Sequence, residues 1–173
     1  LNFVLNSLVK NNLLLLLVKS IKRTDETLSL SHENKITLDS LLYELTAFKA
    51  TLSFLIRVAE TRHGAQQLLQ SEIFQTIKAC SFLLIDPDLG LELVFDETTI
   101  QTSTFVRVNL NLDTPLAFDD SSKGVSLFEL LVPTFQLVAA ILLSTSSENK
   151  PVIEQVHKLL LHFRRLIVGV LKR

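Results

Sequence analysis

The stretch that decides the fold is LDSLLYELTAFKATLSFLIRVAE, residues 38–60. Placed at about 100° per residue, it carries two apolar stripes. One holds Leu38, Leu41, Leu42, Leu45, Phe48, Leu52, Leu55, Ile56 and Ala59, and a nearly opposite one holds Tyr43, Ala47, Ala50, Phe54 and Val58. Polar residues fall in two narrow strips between them, Asp39, Thr46, Ser53 and Arg57 on one side and Ser40, Glu44 and Thr51 on the other. A helix on the surface of a compact domain needs a single apolar stripe. Two opposed stripes call for cover from two sides, as in the middle layers of a stacked helical array. The predicted fold is therefore all-α, an α-solenoid of HEAT/armadillo-like repeats.

Working outward, Thr37 is placed to cap this helix and Asp39 to meet its dipole. Gly64, in Arg62-His63-Gly64, reads as its left-handed terminator. A short turn, Ala65 to Gln70, and a helix capped by Ser71 and stopped by Asp86-Pro87 complete an armadillo-like corner near 62–80. Upstream, an apolar helix over 1–21 fades into Lys22 to Lys35, which reads as a polar loop. Solenoid helices thus account for 1–85.

Residues 86–124 interrupt the pattern, with eight acids against Arg107 and Lys123. Val106 to Leu112 alternates as a strand does and pairs weakly with Leu91 to Phe95 as a possible hairpin. This is read as a partly extended acidic insertion. Solenoid helices resume over 125–173. Ser126 and Glu129 have capping-box spacing, Pro133 should kink the helix that runs to Ser144, and a last helix starts at Pro151 and continues to the end. The main stripe of that last helix is Val152, Val156, Leu159, Leu160, Phe163, Leu166, Ile167, Val170 and Leu171. Leu161 and Val168 extend it beside His157 and Arg164, and these four are the candidate partner-binding residues.

Composition narrows the function. Of 173 residues, 47% are hydrophobic and mean hydropathy is positive at +0.36, while 17 bases and 18 acids nearly cancel. No overall field draws the chain to nucleic acid or an anionic membrane. The bases Lys150, Lys158, Arg164, Arg165, Lys172 and Arg173 cluster against the single acid Glu154, as a solvated helix face or a face for the acidic insertion or an acidic partner. Cys80 stands alone, so there is no internal disulfide. The four histidines do not pair at i, i+4, and the four glycines are isolated. These patterns offer no catalytic, cofactor-binding or metal site and no small-molecule substrate. The absence of methionine and the apolar start at Leu1 lead us to expect a piece of a longer protein. Val125 to Leu143 is nearly long enough to span a bilayer, but central Pro133 and the missing Lys/Arg flanks argue against a span.

Two segments carry a resemblance. TAFKATLSFLIRVAETRHGAQQLLQSEIFQTIKACSF, residues 46–82, and LFELLVPTFQLVAAILLS, residues 127–144, resemble the large inner-ring scaffold nucleoporins of the nuclear pore complex, in the C-terminal region of the fungal form. The resemblance implies a long non-enzymatic solenoid at the inner ring of the pore in the nuclear envelope. It also implies partners among other nucleoporins, chiefly the linker nucleoporin that organises the inner ring. The competing readings are a karyopherin-like carrier of transient cargo and a membrane-embedded helical protein.

Overall fold

The computed structural model describes residues 2–31, 38–84, 128–145 and 149–171. Among them are eight α-helices, one 3₁₀ turn and no strand. The predicted insertion at 86–124, with its hairpin, lies outside the described residues, as do Thr37, Asp86-Pro87 and Ser126.

The first predicted helix is two. α1 (Asn2–Lys10) and α2 (Leu13–Ser31) meet at Asn11-Asn12 with a bend of 69°. Asn12 sits in the left-handed region at φ 57°, a conformation Asn tolerates better than most residues. The Asn11 amide group donates to the Ser7 carbonyl at 2.8 Å and closes the end of α1. α2 then runs well past Ile21, so the polar loop predicted from Lys22 is helical as far as Ser31. Its buried stripe is Leu14, Val18, Ile21 and Asp25, spaced i, i+4, i+7 and i+11. A carboxylate occupies the fourth place on an otherwise apolar face, and this substitution disguised the helix.

α3 (Leu38–Ala59) packs against α2, α4 and α6. Its first stripe is buried at Leu45, Phe48, Leu52, Leu55 and Ala59. The opposed stripe is covered only at Val58, while Tyr43 is 70% exposed and Phe54 39%. Two-sided cover of α3 is therefore not met within the described residues. Arg23 of α2 meets Glu44 of α3 at 2.6 Å across the helix pair.

The corner at Gly64 differs from the prediction. α3 ends at Ala59, Thr61 in extended backbone caps α4 (Arg62–Gln70), and its hydroxyl accepts from the Gly64 amide at 3.0 Å. Gly64 is buried in the first turn of α4 rather than terminating α3. A Cβ there would be driven into the Val58 carbonyl, so glycine is required by the close approach of two helix ends. Ser71 is likewise no N-cap. It closes α4, its hydroxyl donating to the Gln67 carbonyl at 2.9 Å, and Glu72 at φ 58° turns the chain into α5 (Ile73–Lys78). The 3₁₀ turn Ser81–Leu84 follows in place of a continuous helix, burying Leu83.

α6 (Phe128–Ser144) reaches Ser144 as predicted and contains Pro133. It buries Leu130, Thr134, Leu137 and Ile141 on one arc and Leu131 and Val138 on another, against α3, α4 and α7. The Thr134 hydroxyl donates to the Leu130 carbonyl at 2.7 Å, so its burial leaves no donor unpaired. The last predicted helix is again two, α7 (Lys150–His162) and α8 (Arg164–Leu171), broken at buried Phe163. Pro151 sits in the first turn of α7, where its missing amide costs nothing. Among the described residues no single helix is long and apolar enough to cross a membrane. The bent α1–α2 pair passes by length and composition only, and its Leu14, Val18 and Ile21 are buried inside the fold.

Candidate functional site

An open apolar groove lies between α6 and the α7–α8 pair. It has a volume of about 490 Å³ and is lined by Leu131, Val132, Phe135, Gln136 and Ala139 from α6 and by Leu160, Leu166, Ile167 and Leu171 from α7–α8. Gln136 is the one polar side chain in this lining. Helix positions build it directly: 132, 135, 136 and 139 fall on one side of α6, away from the arc of Leu130, Leu137 and Ile141 that enters the core. Phe163 forms its floor support, buried and edge-on to Phe135 with ring centroids 6.3 Å apart. Leu171 at the rim is 79% exposed. Such a surface can do no bond-making chemistry. It can take apolar side chains out of water, each worth about 1.5–3 kcal/mol when fully buried.

The four predicted residues lie close by on another face. His157, Leu161, Arg164 and Val168 are all exposed, Leu161 at 54% and Val168 at 39%, and none of them lines the groove. The break at Phe163 divides them between α7 and α8, so their i, i+4, i+7, i+11 spacing no longer describes one continuous stripe. The groove residues of α7–α8 fall in the main stripe predicted for the last helix, and those of α6 fall in the apolar run Val125 to Leu143. That long apolar run was the available signal, since a helix so rich in apolar residues needs more cover than one neighbour gives.

A second constellation is polar and closed. Asp25 is 1% exposed, and the Lys22 ammonium donates to its carboxylate at 2.6 Å and to the Ala79 carbonyl at 2.7 Å. The Ser81 hydroxyl lies 2.9 Å from both Asp25 oxygens. This knot ties α2 to the 3₁₀ turn. The hydrogen bond to Asp25 raises the Lys22 pKa above its ordinary value, against a smaller opposing effect of burial. Beside it, burial first and the Asp25 charge second push the Cys80 thiol up to about 12. A thiol so held is protonated at neutral pH and unfit as a nucleophile.

The remaining titratable groups gather nothing further. Nε2 of His63 contacts Asn6 Oδ1 at 3.1 Å, tying α4 to α1, and His162 stacks edge-on to Phe163 at 4.8 Å. His32 lies outside the described residues. Among the described residues no three His, Cys, Asp or Glu side chains converge as metal ligands.

Set against known families, residues 1–173 match Nup192, described as the nuclear pore complex scaffold, nucleoporins 186/192/205. No curated protein matches the chain.

Proposed function

The chain belongs to the Nup192 family of nuclear pore complex scaffold nucleoporins, and from that premise we propose that its α6/α7–α8 groove receives an amphipathic helix of a linker nucleoporin. Membership makes it a structural component of the nuclear pore, not an enzyme, and implies other nucleoporins as partners. It also takes the place of the cargo-carrier reading. In the proposal the chain is a C-terminal segment of an inner-ring scaffold of the fungal form, built as a HEAT/armadillo-like solenoid. Linker segments cross-brace the solenoid and so support nucleocytoplasmic transport.

The observation that carries this reading is the groove, about 490 Å³ with a nearly uniform apolar lining. An amphipathic helix presents anchors at i, i+3, i+4 and i+7 to such a channel. Gln136 offers one hydrogen-bonding group to fix its register. His157, Leu161, Arg164 and Val168 form a separate exposed surface on the same two helices, proposed as a flanking contact.

The test is titration calorimetry of the folded chain with peptides from the linker nucleoporin. Saturable binding with a negative heat-capacity change is expected. Leu160→Asp with Leu171→Asp, at exposed groove positions, should weaken it by about 1–3 kcal/mol, roughly 5- to 150-fold, with the helical circular dichroism unchanged. Leu161→Asp with Val168→Asp should weaken it less. Unchanged affinity in the groove variant, or no binding by any linker segment, sinks the reading and leaves the groove as a seam for more of the same scaffold.

A further inference from the structure

The charge of this chain is sorted by region. Residues 86–124 carry eight acids and two bases, and residues 150–173 carry six bases and one acid. The rest of the sequence is balanced, with nine of each. The fold concentrates the second group. On α7, Lys150, His157, Lys158 and Leu161 fall within an arc of about 100° at 100° per residue, opposite buried Val152, Val156 and Leu159, and all four are exposed. Arg164 and Arg165 continue as exposed residues on α8. Glu154 is the one acid on this face and is taken up by Lys158 at 2.7 Å. Lys150, Arg164 and Arg165 have no acidic partner among the described residues.

The acidic segment is tethered in sequence to elements that touch this helix pair. It leaves the 3₁₀ turn Ser81–Leu84, which packs against α8, and rejoins at α6, which packs against α7. Six net negative charges are thereby joined through the chain to elements that touch the one region with a matching positive excess. We propose that the basic outer face of α7–α8 is a docking surface for the chain's own acidic segment, residues 86–124. Lys150, Lys158, Arg164 and Arg165 take its carboxylates, and exposed Leu161 and Val168 take apolar side chains from among its leucines, valines and phenylalanines. Tethering raises the effective concentration to about the millimolar range, which makes individually weak surface pairs sufficient in sum. Such docking is screened by salt, because exposed charges fade beyond a Debye length. None of these residues lines the groove, so the inference stands apart from occupancy of the groove itself, while it replaces the flanking contact proposed above for Leu161, Arg164 and Val168.

Zero-length carbodiimide coupling of the full chain tests this, because it joins carboxylates to lysine amines only at salt-bridge range. At low salt, tryptic mapping of the monomer should show links from Asp113, Asp119, Asp120 or their acidic neighbours chiefly to Lys150 and Lys158. At about 0.5 M salt, where the Debye length shrinks towards a few ångströms, those links should fall at least fivefold. Arg164→Glu with Arg165→Glu leaves both lysines in place and should reduce the links similarly. Adding Asp119→Lys with Asp120→Lys should restore contact, read as links from the new glutamates to the new lysines. The proposal is overturned if the acids couple evenly to Lys10, Lys19, Lys49 and Lys78, if links persist in the arginine variant, or if they occur only between two chains.

Discussion

The two ends of the 3₁₀ turn's neighbourhood contrast sharply. On the α2 side lies the closed knot, where Asp25 is buried and every hydrogen bond it accepts is supplied from inside the chain. On the α8 side the path leads to the groove, where leucines stay partly open to water and no side chain of the described residues fills the space. Burying a carboxylate without partners is far more costly than leaving apolar surface wet. Among the described residues the buried polar groups are satisfied internally, and the groove is left as open apolar surface. Polar structure is closed where a fault would be costly, and apolar surface stays open where exposure costs little.

The largest effect expected of this contrast is at the seam between groove and core. Phe163 is buried, supports Phe135 edge-on and sits at the break between α7 and α8. Phe163→Ala should destabilise the fold by about 3–5 kcal/mol and abolish partner binding with it, measured by urea denaturation and calorimetry. The groove variant Leu160→Asp with Leu171→Asp should cost under about 1 kcal/mol of stability, because both positions are exposed. If the two variants destabilise equally, the groove is part of the core and the contrast fails.

Next comes the knot. Asp25→Ala removes the acceptor for Lys22 and Ser81 and should cost about 2 kcal/mol by denaturant titration. That lies below the 3–5 kcal/mol for breaking a fully buried pair, since Lys22 keeps 37% of its side chain in water and can turn outward. Removing Glu60, whose pair with Arg57 is exposed at both ends, should change stability by less than about 0.5 kcal/mol. A knot no more costly than this surface pair would remove the reason for calling it closed.

Much of this architecture was legible where apolar spacing and burial agree. The buried stripe of α3, the end of α6 at Ser144 and the Pro151 start of α7 follow the pattern directly. The misreadings have one physical source, local signals overruled by long-range contacts. Lys22 to Ser31 looked like a loop because Asp25 holds a core place that long-range partners such as Ser81 make tolerable. Gly64 looked like a terminator because chain-end chemistry and close helix approach both favour glycine, and only the nearness of the Val58 carbonyl separates them. Asn12 and Phe163 break helices without proline or glycine, so periodicity ran through both. The candidate residues were sought on the last helix at His157, Leu161, Arg164 and Val168, whereas Leu160, Leu166, Ile167 and Leu171 are its residues that line the groove. The other wall, from Val132 to Ala139, depends on how α6 rotates against α3, which no single helix pattern records.

The smallest effect gives the finest probe of the closed side. Cys80 is fully buried, its thiol donating to the Thr76 carbonyl at 3.3 Å, and its pKa is raised from 9.0 to about 12. A raised thiol pKa means the folded state favours the neutral form. Its contribution to stability is whole below the unfolded value near 9.0 and falls away as pH rises towards about 12. Between pH 7 and 8 the folded chain should therefore react with a maleimide only through opening, far more slowly than the urea-unfolded chain at the same pH. Asp25→Ala should speed that reaction by loosening the turn beside Cys80, whereas Leu160→Asp should leave it unchanged, because the groove opens elsewhere. Prompt reaction in the unaltered folded chain would mean the knot breathes as freely as the groove, and the division between a finished interior and an unfinished binding face would not hold.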